Sequence, residues 1–237
     1  YGAFLEFEYS IPNFIKFGSN LEYYDKNVDI NHIGYLMRND LFKINNSLIY
    51  YNDSLLSSFM IKNFSFGFNH IFSKNIDNIL LAHIFNPILS FNFINYSFLD
   101  ISYRLDLPAS EDRFYDFIDQ DLFADKIAKI PKTNTFQVDF GNDPTHRFYF
   151  DISLIHSNTE IKEEGNSFAV LLGANLSEKS DISVSYSNIN GSQKYRFLDE
   201  LDKINESVAS DHFIFSKAKN TNQKWVFRYN KFFENGI

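Results

Sequence analysis

The stretch LSFNFINYSFLDISYRLD, Leu89 to Asp106, decides the fold. Its odd positions are Leu89, Phe91, Phe93, Asn95, Ser97, Leu99, Ile101, Tyr103 and Leu105. Its even positions are Ser90, Asn92, Ile94, Tyr96, Phe98, Asp100, Ser102, Arg104 and Asp106. One set is mostly apolar and the other mostly polar, with mixing in the middle. Successive side chains of a strand point to opposite faces, so a period of two marks a half-buried strand. Read as one strand, this run far exceeds the common globular length of about 5–6 residues. It is long enough to cross a bilayer, which takes about 9–11 tilted residues.

The same rhythm recurs along the chain. It appears in Phe14–Tyr23, Lys62–Phe72, Thr135–Gly141, Arg147–Ile155, Asp181–Asn188 and Gln223–Phe233. Further strands are expected near Tyr1–Tyr9, Phe42–Tyr51, Asn166–Leu176 and His212–Lys219. Turn residues mark short connections at Ser10-Ile11-Pro12-Asn13, Asn142-Asp143-Pro144-Thr145, Ser177-Glu178-Lys179-Ser180 and Asn220-Thr221-Asn222. Longer connections are expected at Tyr24–Asp40, Asp106–Asn134, Ser157–Gly165 and roughly Asn190–Asp211. From Pro144 onward short and long links therefore alternate, as they do in outer-membrane barrels. Two loops carry helical spacing. Phe114, Ile118 and Leu122 follow Ser110 as an N-cap, with Glu111 and Asp112 in the first turn. Leu201, Ile204 and Val208 give a weaker version.

Composition narrows the class. The chain has 237 residues, 28 of them Phe and 14 Tyr, with no Cys and a net charge of −8. Zero cysteine excludes disulfide scaffolds, thiol nucleophiles and iron–sulfur sites. The acidic balance argues against a nucleic-acid surface, which needs clustered Lys and Arg. The most apolar stretch, Ile76–Leu99, is broken by Asp77, Asn78, His83, Asn86, Pro87, Asn92 and Asn95. It lacks the apolar run of about 18 residues that a spanning helix requires. A barrel escapes that test, because its apolar band is spread over alternate residues.

Two all-β architectures compete. In a soluble sandwich the apolar faces pack on a second sheet and the polar faces meet water. In a membrane barrel the apolar faces meet acyl chains, and closure satisfies every backbone group. Strand length and bulky neighbours such as Phe64, Phe66 and Phe68 favour the barrel. The expectation is an antiparallel meander of about 11–12 strands with short loop helices, forming an incomplete transmembrane β-barrel. It requires Phe66, Phe93, Phe150 and Phe227 to stay out of a dry two-layer interior. No linker divides the chain, so residues 1–237 read as one barrel domain.

Three stretches carry a family resemblance. They are Asp29-Ile30-Asn31-His32-Ile33-Gly34-Tyr35-Leu36-Met37-Arg38-Asn39-Asp40, the Tyr103-Arg104 to Phe114-Tyr115 segment, and His212–Ser216 through Phe227–Asn230. Together they resemble the C-terminal barrel domain of unknown function found in bacterial outer-membrane proteins behind a family-nine-like carbohydrate-binding module. The resemblance implies a bacterial outer-membrane location, lipid as the surrounding partner, and glycans reached through an upstream module absent from this sequence. It assigns no reaction and no functional residue. The chain opens at Tyr1 inside a strand and closes on the turn signal Glu234-Asn235-Gly236-Ile237. It therefore reads as a fragment with at least one unpaired sheet edge.

Candidate chemistry is sparse. The histidines, His32, His70, His83, His146, His156 and His212, form no His-x-x-x-His pair. The acidic run Glu111–Asp125, with Asp112, Asp116, Asp119 and Asp121, lacks the glycine of a calcium loop. Asn46-Ser47 behind Asn45, and Asn63-Phe64-Ser65, fall in strands and read as chance glycosylation matches. No cofactor fingerprint appears. The polar strand faces supply the site expectation: Lys16, Glu22, Asp100, Arg104, Asp139, Arg147, Asp151, Lys224 and Arg228 line a lumen. Asp100, Asp139 and Asp151 are also the residues a glycosidase-type carboxylate pair would draw on. The functional expectation is a non-enzymatic anchor or translocation path for a surface protein. Its rivals are the C-terminal part of a TonB-dependent transporter barrel and a soluble glycan-binding sandwich.

Overall fold

A computed structural model of the chain describes residues 1–27, 40–53, 60–111, 128–201 and 212–231. The strands are β1 (Gly2–Ile11), β2 (Ile15–Tyr24), β3 (Leu41–Asn52), β4 (Ile61–Asn75), β5 (Leu80–Phe93) and β6 (Ser97–Asp106). There follow β7 (Ala109–Glu111), β8 (Ala128–Ile130), β9 (Thr133–Asn142), β10 (Phe148–Thr159), β11 (Glu164–Ser177), β12 (Ser180–Leu201) and β13 (His212–Lys231). Eleven strands form one sheet in the order β1-β2-β3-β4-β5-β6-β9-β10-β11-β12-β13, and β7 pairs with β8 in a small separate ribbon. This is an antiparallel meander. The chain falls into two compact units, Tyr1–Val138 and Asp139–Ile237.

Local chemistry explains the tight turns. Between β1 and β2, Pro12 presets its own φ and Asn13 takes a left-handed conformation (φ 58°) that asparagine tolerates better than most residues. Between β4 and β5, the Asn75 side chain accepts the Ile79 amide at 2.8 Å, and Asn78 adopts φ 63°. Between β9 and β10, Asp143 Oδ1 accepts the Thr145 amide at 2.8 Å and its hydroxyl at 2.7 Å.

The 89–106 run is two strands, not one. Ile94, Asn95 and Tyr96 form a turn in which the Tyr96 amide donates to the Phe93 carbonyl at 3.1 Å, with Tyr96 at φ 63°. Three-residue loops of this kind are a standard hairpin connection. An odd number of turn residues carries the alternation through without a phase change. Leu89 therefore faces Ile101, and Phe91 faces Leu99, on one side of the sheet.

Other expectations also need correction. Ser157 pairs with Gly165 and Asn158 with Glu164, so the β10–β11 connection is a tight turn rather than a long loop. Asn220-Thr221-Asn222 is no turn: these residues pair with Gly191, Asn190 and Ile189 inside β13. The two strands expected at 212–219 and 223–233 are one strand. Ser110 and Glu111 lie in strand β7, so Ser110 caps no helix. The helical positions Phe114, Ile118, Leu122, Ile204 and Val208 lie outside the described residues, and Leu201 ends β12. Within the described residues there is no helix.

The connections alternate between the two strand ends in each unit. In the first unit, 12–14, 53–60 and 94–96 fall at one end, and 25–40, 76–79 and 107–132 at the other. In the second unit, 143–147 and 178–179 share one end, and 160–163 and 202–211 the other. The longest connections thus share one end within each unit, although that end also carries tight turns.

Candidate functional site

The sheet's two faces are the feature on which function rests. In the first unit the register places Phe17, Leu48, Phe68 and Pro87 in one row of one face. Phe64, Phe66, Phe72, Phe85, Phe91, Leu99 and Ile101 share that face. In the second unit the matching face carries Phe148, Phe150, Ile152 and Leu154, then Phe168, Val170 and Leu172, then Ile182, Val184 and Tyr186, then Trp225, Phe227 and Tyr229.

Among the described residues no second layer covers this face. Phe227 is 77% exposed and Phe148 68%, and no large side chain among the described residues is fully buried. Phe66, Phe93 and Phe150 are half-buried between strand neighbours. A sandwich core would bury them. Monomeric soluble proteins rarely expose contiguous apolar patches above a few hundred Å².

The apolar face has the dimensions of a membrane band. Phe64 to Phe72 covers about 26 Å of strand at about 3.3 Å per residue. At a tilt of about 40° this spans about 20 Å, near the roughly 25 Å band of outer-membrane barrels. Aromatic rings sit toward the strand ends. Tyr9, Tyr50 and Tyr96 lie near one end of the first unit, and Lys62 reaches over the Tyr96 ring at 5.9 Å. Toward the other end lie Tyr23 and Phe42, with Lys74 over the Phe42 ring at 5.7 Å. Such rings suit the headgroup level, where one side is apolar and the other wet.

The opposite face is polar. In the first unit, Lys16 pairs with Glu8 at 2.9 Å, Glu22 with Lys43 at 3.1 Å, and Arg104 with Asp106 at 2.9 Å. Asp100 stands opposite Ser90. In the second unit, Lys224 stands opposite Ser187, Arg228 opposite Ser183, and Asp151 opposite Leu171. Asp139 lies in β9, near enough to Asp151 to act on it electrostatically. Arg147 sits in the turn before β10, its guanidinium 5.6 Å from the Phe148 ring centroid. The sequence reading missed Glu8 and Lys43, which strand register selects, and Asp106, which stands two residues along the same strand from Arg104.

It also missed a polar row on the apolar face. Ser19 Oγ donates to Asn46 Oδ1 at 2.8 Å, and Asn46 Nδ2 meets His70 Nδ1 at 3.2 Å. With its carbonyl oxygen engaged, Asn46 offers its amide protons, so His70 Nδ1 accepts and the ring proton sits on Nε2. The ring centroids of His70 and His83 are 5.3 Å apart, and Phe85 stacks on His70 at 4.9 Å. The signal was present: Asn46 interrupts Phe42, Ile44, Leu48 and Tyr50, and His70 interrupts Phe68 and Phe72. Their adjacency was not. Among the described residues no three His, Asp or Glu side chains converge as metal ligands.

No family model matches the chain, and no curated protein sequence matches it. Solved structures do. The anion-selective porin from Comamonas acidovorans aligns over 97% of this chain with a TM-score of 0.53 and 10% identity. A second porin aligns over 96% of the chain with a TM-score of 0.49 and 9% identity. The chain spans 59% of the first porin's length and 60% of the second's. At this identity the likeness concerns fold alone. The chain has a porin-like β-barrel fold, an all-β antiparallel meander.

Proposed function

We propose that the chain is part of a bacterial outer-membrane β-barrel, with its Phe-rich face on lipid and its polar face lining a water-filled path for small polar solutes. The observation that carries this reading is the apolar face, exposed and uncovered among the described residues. Burying apolar area in acyl chains is worth about 25 cal/mol per Å², which removes the penalty such a face incurs in water. The likeness to the Comamonas porin supports the same reading. Catalysis plays no part in it. Lys16, Glu22, Asp100, Arg104, Asp139, Asp151, Lys224 and Arg228 then act as lining rather than as acids, bases or nucleophiles. The resemblance to a barrel domain behind a carbohydrate-binding module adds a further proposal: an upstream module holds glycans at the cell surface and this barrel anchors it. Loss of glycan binding on deletion of such a module, with the barrel still membrane-bound, supports that part.

The chain's single tryptophan provides the test. Trp225 lies on the apolar face and is 62% exposed. In reconstituted vesicles its emission is expected to be quenched by lipids brominated on their acyl chains and protected from aqueous iodide. Quenching by iodide alone, with the protein soluble without detergent, overturns the reading.

A further inference from the structure

We infer that a path lined by this polar face prefers cations to anions, and that Glu6 and Asp100 carry the preference; the inference rests on the pore reading above. The argument starts from which charges are neutralised locally. Lys16, Lys43 and Arg104 are the basic side chains in the strands of the first unit's polar face, and each holds a carboxylate: Glu8 at 2.9 Å, Glu22 at 3.1 Å and Asp106 at 2.9 Å.

Glu6 and Asp100 have no cationic partner among the described residues. On the side where each has a paired neighbour, the register sets neutral groups against them. Glu6 stands opposite Asn20, which stands opposite Asn45. Asp100 stands opposite Ser90, which stands opposite Ser65. Both lie within strands rather than in connections.

An ion pair is a dipole whose field fades quickly, whereas a lone carboxylate keeps a monopole field. Low-dielectric walls focus that field into the water beside it. Carboxylate-lined constrictions select cations by this means. Among the described strand residues of the second unit, the polar face sets Lys224 and Arg228 against Asp139, Asp151 and Asp181, which does not reverse the sign.

The test is a reversal-potential measurement on the full polypeptide in planar bilayers under a potassium chloride gradient. The expected sign is that of potassium preference, weakening between about 0.1 M and about 1 M salt as the Debye length falls from about 10 Å to about 3 Å. Glu6→Gln with Asp100→Asn is expected to move the reversal potential toward zero. Lys16→Gln frees Glu8 and is expected to move it the other way. Heat-modifiable electrophoretic mobility checks that each variant is folded. Chloride preference, or a folded, conducting double variant with an unchanged reversal potential, overturns the inference while leaving a pore. Folded and inserted protein that conducts nothing overturns the pore reading, and the inference with it.

Discussion

The two units use the same residue types on their apolar faces but place the polar ones at different depths. In the first unit, Ser19, Asn46 and His70 lie mid-strand, with Phe17 and Leu21, Ile44 and Leu48, and Phe68 and Phe72 on either side. In the second unit, His156 and Asn166 form a comparable pair, with His156 Nδ1 and Asn166 Oδ1 2.8 Å apart. That pair sits near the 160–163 turn, beyond Leu154 and Phe168. A polar side chain at the edge of an apolar band reaches water or headgroups. One in the middle must find its partners within the sheet, because hydrocarbon supplies none. The Ser19–Asn46–His70 chain of bonds fits this rule.

Breaking the contrast from the second unit gives the largest expected effect. Val170→Arg puts a charge between Ile152 and Tyr186 on that apolar face, and is expected to cost about 2–4 kcal/mol by denaturant unfolding in lipid. Ser185→Arg, one strand over on the polar face, is expected to stay within about 0.5 kcal/mol. Equal effects at the two sites would mean that both faces meet the same solvent.

The first unit tests the partner rule. Asn46→Leu strands the Ser19 hydroxyl and the His70 ring, and is expected to cost about 1–3 kcal/mol. Replacing all three, as Ser19→Ala, Asn46→Leu and His70→Phe, is expected to recover most of that loss, since no unmet donor or acceptor remains. A triple variant less stable than the single one would show that the row does something beyond satisfying itself.

Much of this was legible from alternation alone. The two-sided strands, the meander and the approximate strand number follow from a period of two. What failed shares one physical cause: sequence period says which face a residue takes, but not where its strand ends or which neighbour it meets. Ile94-Asn95-Tyr96 kept the phase and hid a turn. Asn220-Thr221-Asn222 has turn composition, yet pairs with Ile189, Asn190 and Gly191, where the strands have run past the apolar band and polar residues are tolerated. The ion pairs Glu8–Lys16 and Glu22–Lys43, and the Asn46–His70 contact, depend on register between strands. No local pattern encodes that register.

A smaller effect separates two glycines. A Cβ on Gly67 in the first unit would meet the Ile88 Cβ at an ordinary 3.7 Å, whereas one on Gly173 in the second would overlap the Tyr149 ring. Gly67→Ala is expected to gain about 0.5–1 kcal/mol, because glycine weakens a strand interior. Gly173→Ala is expected to cost about 1 kcal/mol. Adding Tyr149→Ala should erase that cost, and a persistent loss would place its cause in the backbone rather than the ring.

The smallest expected effect lies in the turns. Hydrogen bonds from the Thr145 amide and hydroxyl hold the Asp143 carboxyl below its ordinary pKa, in a turn at the protein surface. A carboxyl lowered on folding binds protons more weakly in the folded state. Its contribution is therefore complete above the unfolded value and is lost as pH falls through the lowered one. Lys26, held above its ordinary value by Asp77, has the opposite sign. That pair stabilises below the free lysine pKa and loses its contribution as pH rises through the raised value. Hydrogen exchange at the Thr145 amide is the sensitive readout for the acid side. Its protection, corrected for the intrinsic pH dependence of exchange, is expected to fall in acid for the parent chain. Asp143→Asn, which keeps an acceptor but no titration, should abolish that fall. Protection that drops equally in both would assign the acid sensitivity to other carboxylates.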